Sequence, residues 1–284
     1  VEALPGDEAG LHWRTRITLH VGDDGRAGPY AERSHRVIPV ESLPLATGAI
    51  EALGAHQTDW SGHRQVRIVE PSDGQARLII DQQKPQEMIE RCAGKDFVLS
   101  DQSFWQVHRH AADTLHQAVR DALSGLSIDP SAHHLDLYGG VGLLADALGQ
   151  HFGQTASMTV VESDPLASGY TARNLADYAN ATAVTEEVRA FLRRYHPGGQ
   201  VGVVVLDPPR SGAKDEVVKH VSSLSPQAVI YVACDPVALG RDIRTFREQG
   251  YEMLSVRGFD LFPHTHHMEA LAVLAPTGGP TQSG

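Results

Sequence analysis

The stretch "HHLDLYGGVGLLADALGQHF", residues 133–152, decides the fold. A run of strand character ends in paired glycines, and a helical pattern of leucines and alanines follows with no linker. Glycines at such a turn let a ligand approach the backbone, and the next helix presents its amino terminus there. A tight strand–helix turn with no ligand would read the same way, so the surrounding sequence has to choose.

Outward from this stretch the alternation continues. "MTVVESD" (158–164) reads as a strand and "PLASGYTARNLADYAN" (165–180) as a helix. "VGVVVLDPPRSG" (201–212) is a strand with a stiff loop, and "AKDEVVKHVSSL" (213–224) is helical. "AVIYVACD" (228–235) and "PVALGRDIRTFREQG" (236–250) repeat the pair. "YEMLSVRGFDLFP" (251–263) and "MEALAVLAP" (268–276) close as an antiparallel pair. Apolar strands alternating with helices imply an α/β, Rossmann-like domain: a mainly parallel sheet with helices on both faces, ligands at the carboxyl ends of its strands.

The region before it reads as β-structure. "RTRITLHV" (14–21) alternates polar and apolar residues, "GDDGR" (22–26) is a turn, and "RVIPV" (36–40) is a short extended run. "RQVRIVE" and "QARLII" form a hairpin through Pro71–Ser72–Asp73–Gly74. Helical spacing sets in within "DFVLSDQSFWQVHRHAADTLHQAVRDAL" (96–123). The expected organisation is a small β-rich domain over 1–95, the α/β domain over 96–275, and a flexible tail over 276–284.

Composition narrows the setting. Two cysteines in 284 residues exclude a disulfide framework and point to a reducing compartment, so a cytoplasmic protein is expected. The apolar runs are far shorter than the roughly 20 residues of a membrane span. A net charge of −11 argues against a general affinity for nucleic acid. The charge is uneven, however. From His12 to Arg36 five arginines face three acidic residues. A solvated surface would look the same.

Several residues carry chemistry at the expected ligand edge. Glu162 ends the second strand, where an acid suits a ribose diol, present in both NAD and S-adenosylmethionine. Asp207 sits in a proline-stiffened loop that is common among nucleobase methyltransferases and has no special use in dehydrogenases. Cys234 lies where a strand stops and a helix begins. A free cysteine is most often a small buried hydrophobe, but a helix amino terminus would lower its pKa and favour the thiolate. Glu269 opens an apolar strand, where burial would raise its pKa as a general base requires; a surface glutamate at a strand edge is the alternative. His264, His266 and His267 lack the carboxylate–histidine spacing of zinc enzymes, and no metal is expected.

Together "FWQVH", "DLYGGVG", "VVESD", "LDPPRSG", "ACDP" and "DLFPHTHHMEAL" resemble the S-adenosylmethionine-dependent RNA uridine-5-methyltransferases, in that family's motif order from about Leu11 to Ala275. The resemblance implies S-adenosylmethionine as cofactor and rRNA or tRNA as partner, with a monomeric enzyme expected. It implies cofactor contacts from Gln106, from Tyr138 and Gly140 of the turn, from Glu162 and from Asp207. Cys234 would be the nucleophile that adds to the uracil ring, and Glu269 the base, supported by His267. His108 and Asp235 stand where the family usually has asparagine, and Leu143 where a polar residue is common. The cysteines that bind an iron–sulfur cluster in some relatives are missing, so no cluster is expected. The amino-terminal RNA-binding barrel of many members is also missing, and the Val1 start suggests truncation.

Three other functions are compatible with parts of the sequence. An exocyclic-amine methyltransferase would use the Asp207–Pro208 loop but has no use for Cys234. A nicotinamide oxidoreductase would use the glycine turn and Glu162. A non-catalytic RNA-binding module would have no need of Cys234 or Glu269.

Overall fold

The structure, a computed structural model, describes residues 1–5 and 9–278. The chain begins with strands β1 (Glu2–Ala3), β2 (Arg16–Val21) and β3 (Ala27–Gly28), then a short helix α1 (Gly48–Ala52). Two hairpins follow: β4 (Gln65–Val69) with β5 (Arg77–Ile80), and β6 (Glu87–Cys92) with β7 (Lys95–Ser100). Helix α2 (Ala111–Ser124) leads into β8 (His133–Leu137), α3 (Leu143–Phe152), β9 (Ser157–Glu162), α4 (Pro165–Asn174), β10 (Asn180–Thr185) and α5 (Val188–Arg194). The remainder is β11 (Val201–Leu206), α6 (Lys214–Ser223), β12 (Ala228–Ala233), α7 (Pro236–Glu248), β13 (Tyr251–Asp260) and β14 (Glu269–Pro276).

The large sheet runs β1-β13-β14-β12-β11-β8-β9-β10. From β10 to β12 all pairings are parallel, while β14 lies antiparallel between β12 and β13. The order reverses between β8 and β11, the point at which open α/β sheets form a crevice for ligands. Strand alternation divides the core in two. Val203 and Val205 point to the face covered by α2 and α3, whereas Val204 and Leu206 point to the face covered by α5, α6 and α7. Strands β11 and β12 are buried at every residue, which is why they read as unbroken apolar runs.

Strands β3-β2-β4-β5 form a separate antiparallel sheet with its own core around Leu19, Ile50, Trp60, Val66 and Ile68. The β6–β7 hairpin joins the large domain instead: Met88, Phe97 and Leu99 pack into the same core as α2 and α3. Strand β1 pairs with β13, so the chain also starts on the large sheet.

Some expectations are corrected. Residues 36–40 make a single bridge, Tyr30 with Val37, because Pro39 has no amide to extend a ladder. Residues 95–100 are a strand, and helix α2 starts only at Ala111. Helix α4 ends at Asn174, six residues before the helical pattern does, and its asparagine side chain bonds the backbone of Val98 and Val141. Strand β10 and helix α5 had no signal, since an edge strand of mixed polarity lacks an apolar run. Pro276 still belongs to β14, and residues 279–284 of the expected tail lie outside the described residues. No helix among the described residues is long and apolar enough to cross a membrane.

A buried carboxylate ties the hairpin down. Asp146 accepts bonds from Lys95 (3.0 Å), His116 (3.0 Å), Gln150 (2.9 Å) and Tyr178 (2.7 Å). Burial opposes its charge, but the bonds from His116, Tyr178 and Lys95 outweigh that and hold its pKa below the ordinary value. Asp146→Ala should therefore destabilise the fold by about 3–5 kcal/mol, the cost of stranding one partner of a buried ion pair. Urea unfolding measures this, and a change below about 1 kcal/mol would show that the network is not what fastens the hairpin.

Candidate active site

The glycine turn begins with strain. Tyr138, just past β8, has a φ of 66°, a region that tyrosine seldom occupies. A Cβ on Gly139 would sit 2.2 Å from the Val160 side chain, so only glycine fits against β9. Gly140 takes a φ of 55° and directs its amide at the Glu162 carboxylate, 3.0 Å away. The other Glu162 oxygen accepts the Asp164 amide at 2.7 Å, which fixes the carboxylate beside the turn.

A cleft opens over this turn, lined in part by Phe104, Gln106, Asp136, Tyr138, Gly140 and Asp207. Phe104 and Gln106 arrive on the segment between β7 and α2; Asp207 follows β11 across the switch point. Four of the expected cofactor residues thus share one cleft, and Glu162 adjoins it through Gly140.

Asp136 was not anticipated. It is wholly buried in β8, and neither carboxylate oxygen has a well-formed hydrogen bond. Burial raises its pKa to about 7, Asp207 and Glu162 add to the rise, and the Ala145 amide offsets part of it. The available signal was a lone acid inside a mostly buried strand, three residues ahead of the first glycine.

Cys234 and Glu269 come together through the sheet. The β12–β14 ladder ends at the pair Ala233 and Ala270, and the antiparallel register places Cys234 and Glu269 next. Glu269 is buried, its Oε1 has no partner among the described residues, and burial followed by the Asp207 charge raises its pKa. Asp207 is likewise shifted upward by burial. His267 makes no hydrogen bond to Glu269; its amide bonds the Thr265 hydroxyl and its ring packs against His266 and Phe262. His264 is engaged elsewhere, with the Ala9 carbonyl.

The expected lowering of the Cys234 pKa is overturned. Burial raises it, the Glu269 and Asp207 charges raise it further, and Arg210 opposes them only in part. Asp235, not Cys234, caps α7 and takes the Ala238 amide at 2.7 Å. The helix terminus is therefore spent on its own cap, a duty for which aspartate and asparagine serve equally. His108 is buried and stacks on Trp13.

The tRNA (uracil-5-)-methyltransferase family matches residues 51–276. An uncharacterized RNA methyltransferase of Streptomyces avermitilis is 35% identical over 97% of this chain and 70% of its own length. Another from Streptomyces coelicolor is 36% identical over 93% of this chain and 64% of its own length. The chain thus spans about two thirds of these relatives. In fold it is similar to the Pyrococcus abyssi tRNA (uracil-54, C5)-methyltransferase in complex with S-adenosyl-L-homocysteine, with a TM-score of 0.73, 20% identity and coverage of 97% of this chain and 79% of that one. The turn, the Asp207 loop and the Cys234–Glu269 pair lie within the matched residues, and the chain belongs to the tRNA (uracil-5-)-methyltransferase family of RNA methyltransferases.

Proposed function

We propose that the chain methylates carbon 5 of a uridine in tRNA or rRNA, using S-adenosylmethionine and a transient bond between Cys234 and the uracil ring. The observation that carries this reading is the juxtaposition of Cys234 and Glu269 at the end of one antiparallel ladder, beside the Asp207 loop.

The residues of the cleft fit the cofactor. S-adenosylmethionine carries an ammonium group, a ribose diol and a purine. Asp136 is a buried acid with no partner of its own and suits the ammonium; Glu162 suits the diol. Gln106, Tyr138, Gly140 and Asp207 complete the walls. When bound, the cofactor supplies the methyl group as an electrophile.

Carbon 5 of uracil is too weak a nucleophile to take that methyl unaided. In the proposed reaction, Cys234 loses its proton to solvent and its sulfur bonds to carbon 6. The displaced π electrons pass to carbon 5 and the neighbouring carbonyl oxygen, and carbon 5 accepts the methyl. The Glu269 carboxylate then removes the carbon 5 proton. The electron pair left behind restores the ring double bond and expels Cys234 as a thiolate. A target base must leave its stack to reach both groups.

Three outcomes test this reading. Cys234→Ala should abolish methyl transfer and any covalent link to RNA. Glu269→Gln should lower turnover by about 10²–10⁴-fold and accumulate a methylated protein–RNA adduct stable to denaturing electrophoresis. Normal turnover of either variant would sink the mechanism.

The pH–rate profile is a second check. Because the Cys234 pKa is raised, the thiol persists at neutral pH and the rate of adduct formation should climb as the pH rises above 7. Arg210 lowers that pKa, so Arg210→Gln should displace the climb to higher pH. A rate independent of pH from 6 to 9, measured with ~0.5-unit spacing, contradicts a thiol of raised pKa as the attacking group.

Asp136 offers the third. Its folded pKa lies above the unfolded value, so ionisation opposes folding: the cost is absent below about pH 4 and builds as the pH rises towards 7. Asp136→Asn should raise thermal stability at pH 7 and leave it unchanged at pH 4. The same change should weaken S-adenosylhomocysteine binding by about 1.5–3 kcal/mol in calorimetry. Unaltered affinity would remove Asp136 from the cofactor site.

A further inference from the structure

A second concave surface lies on the small sheet, lined by His20, Tyr30, Arg64, Gln65, Asp81 and Gln82 among others. Strands β2 and β4 form its floor. Leu19 and Val66 pair across them and face the small core, so Thr18, His20, Gln65 and Arg67 face the other way. Near Arg16 this second face is covered, since Arg16 bonds Glu90 at 2.9 Å and Ile79 packs with the β6–β7 hairpin. Beyond Thr18 the face opens into the cleft.

The cleft joins three kinds of group. Tyr30 lies flat on the His20 ring, with centroids 3.5 Å apart and planes within 7°, and His35 meets it edge-on at 5.3 Å. Tyr30 is still 41% exposed, leaving part of the stack accessible. Burial and the nearby His35 hold the His20 pKa below its ordinary value, so this stack is uncharged at neutral pH. The carboxamides of Gln65 and Gln82 have no hydrogen-bond partner among the described residues, and the Arg64 guanidinium has no ion-pair partner there. Arg26 and Arg33, by contrast, are paired with Asp24 and Glu32. The one acid lining the cleft is committed: Asp81 accepts the Arg64 and Gln65 amides at 2.7 and 3.1 Å and bonds His63 at 3.0 Å.

We propose that this cleft binds an unpaired nucleotide of the RNA substrate, distinct from the target uridine. The base stacks against Tyr30, the Gln65 and Gln82 carboxamides meet its edge, and Arg64 meets a phosphate. An aromatic platform beside an unpaired cation is the chemistry that single-stranded RNA engages, and the two amides can serve as either donors or acceptors for a base edge. A protein partner would have no need of flat stacking next to a free guanidinium. The site rests on the reading of the chain as an RNA methyltransferase.

Strand β2 links this cleft to the catalytic edge. Arg14 and His20 fall on the same face, six residues apart, or about 20 Å at about 3.3 Å per residue. Arg14 shares an electrostatic field with Arg210 and His267, and Arg210 acts on Cys234. RNA that enters both places has to pass around the stretch covered at Arg16, whose charge is paired with Glu90.

Fluorescence anisotropy with a labelled single-stranded oligouridylate tests the site on the whole chain, beside a methyl-transfer assay on total RNA. Tyr30→Ala should weaken binding by about 5- to 150-fold, the effect of losing one stacked base, while Tyr30→Phe retains the affinity. Arg64→Ala should weaken binding and flatten its salt dependence by about one counterion. S-adenosylhomocysteine affinity and thermal stability should be unchanged in these variants, which separates loss of contact from loss of fold. If the unmutated chain methylates RNA while Tyr30→Ala and Arg64→Ala bind the oligonucleotide as tightly as it does, the site is refuted and the methyltransferase reading stands. If the unmutated chain binds the oligonucleotide through Tyr30 yet methylates no RNA, the site stands and the assigned reaction fails.

Discussion

The Asp207 charge reaches both Asp136 and Glu269 at the carboxyl edge of the large sheet's parallel strands, where burial raises the pKa of all three. Like charges brought together in a low-dielectric setting resist ionisation, and a protein that needs only stability would replace them. Here the rest of the core holds them in place. The all-buried strands β11 and β12 are rigid enough to end in an acid and a thiol without collapsing around them. A cationic ligand in the cleft would relieve the repulsion, so the arrangement favours binding a positively charged group.

That same crowding explains the state of Cys234. A thiol beside two acids and partly removed from water holds its proton more firmly, and the Arg210 charge opposes this. Reactivity is then tied to occupancy: neutralising the neighbouring acids, or excluding their charge, makes the thiolate easier to form. A cysteine suppressed in the free chain is also protected from oxidation, whose rate follows thiolate content.

The small sheet and the β6–β7 hairpin deliver side chains to this edge from outside the α/β unit. The hairpin is fastened through Asp146 and Asn174, and the segment that follows it carries Phe104 and Gln106 into the cleft. Arg14 comes from the approach to β2, bridging to Ala46 on one side and His108 on the other. Segments outside the α/β unit thereby line both the cleft over the glycine turn and the path that we assign to RNA.

The sequence by itself determined the α/β alternation, because buried parallel strands must be apolar throughout and glycine is the residue that fits beside Val160. It also marked Glu162, Asp207, Cys234 and Glu269 as chemistry placed at strand ends. It missed β10 and α5, whose polarity is set by an edge position and not by a buried run, and it missed Asp136, where the sequence shows an acid in a strand but not its partnerless burial. It misjudged the Cys234 pKa, because a helix terminus is a local feature while burial and the charges of Glu269 and Asp207 come from distant segments. Only the tertiary structure decided which of these residues meet. Inserting β14 antiparallel between β12 and β13 sets Glu269 opposite Cys234, and that register is fixed by cross-strand packing, which no pattern within either strand records.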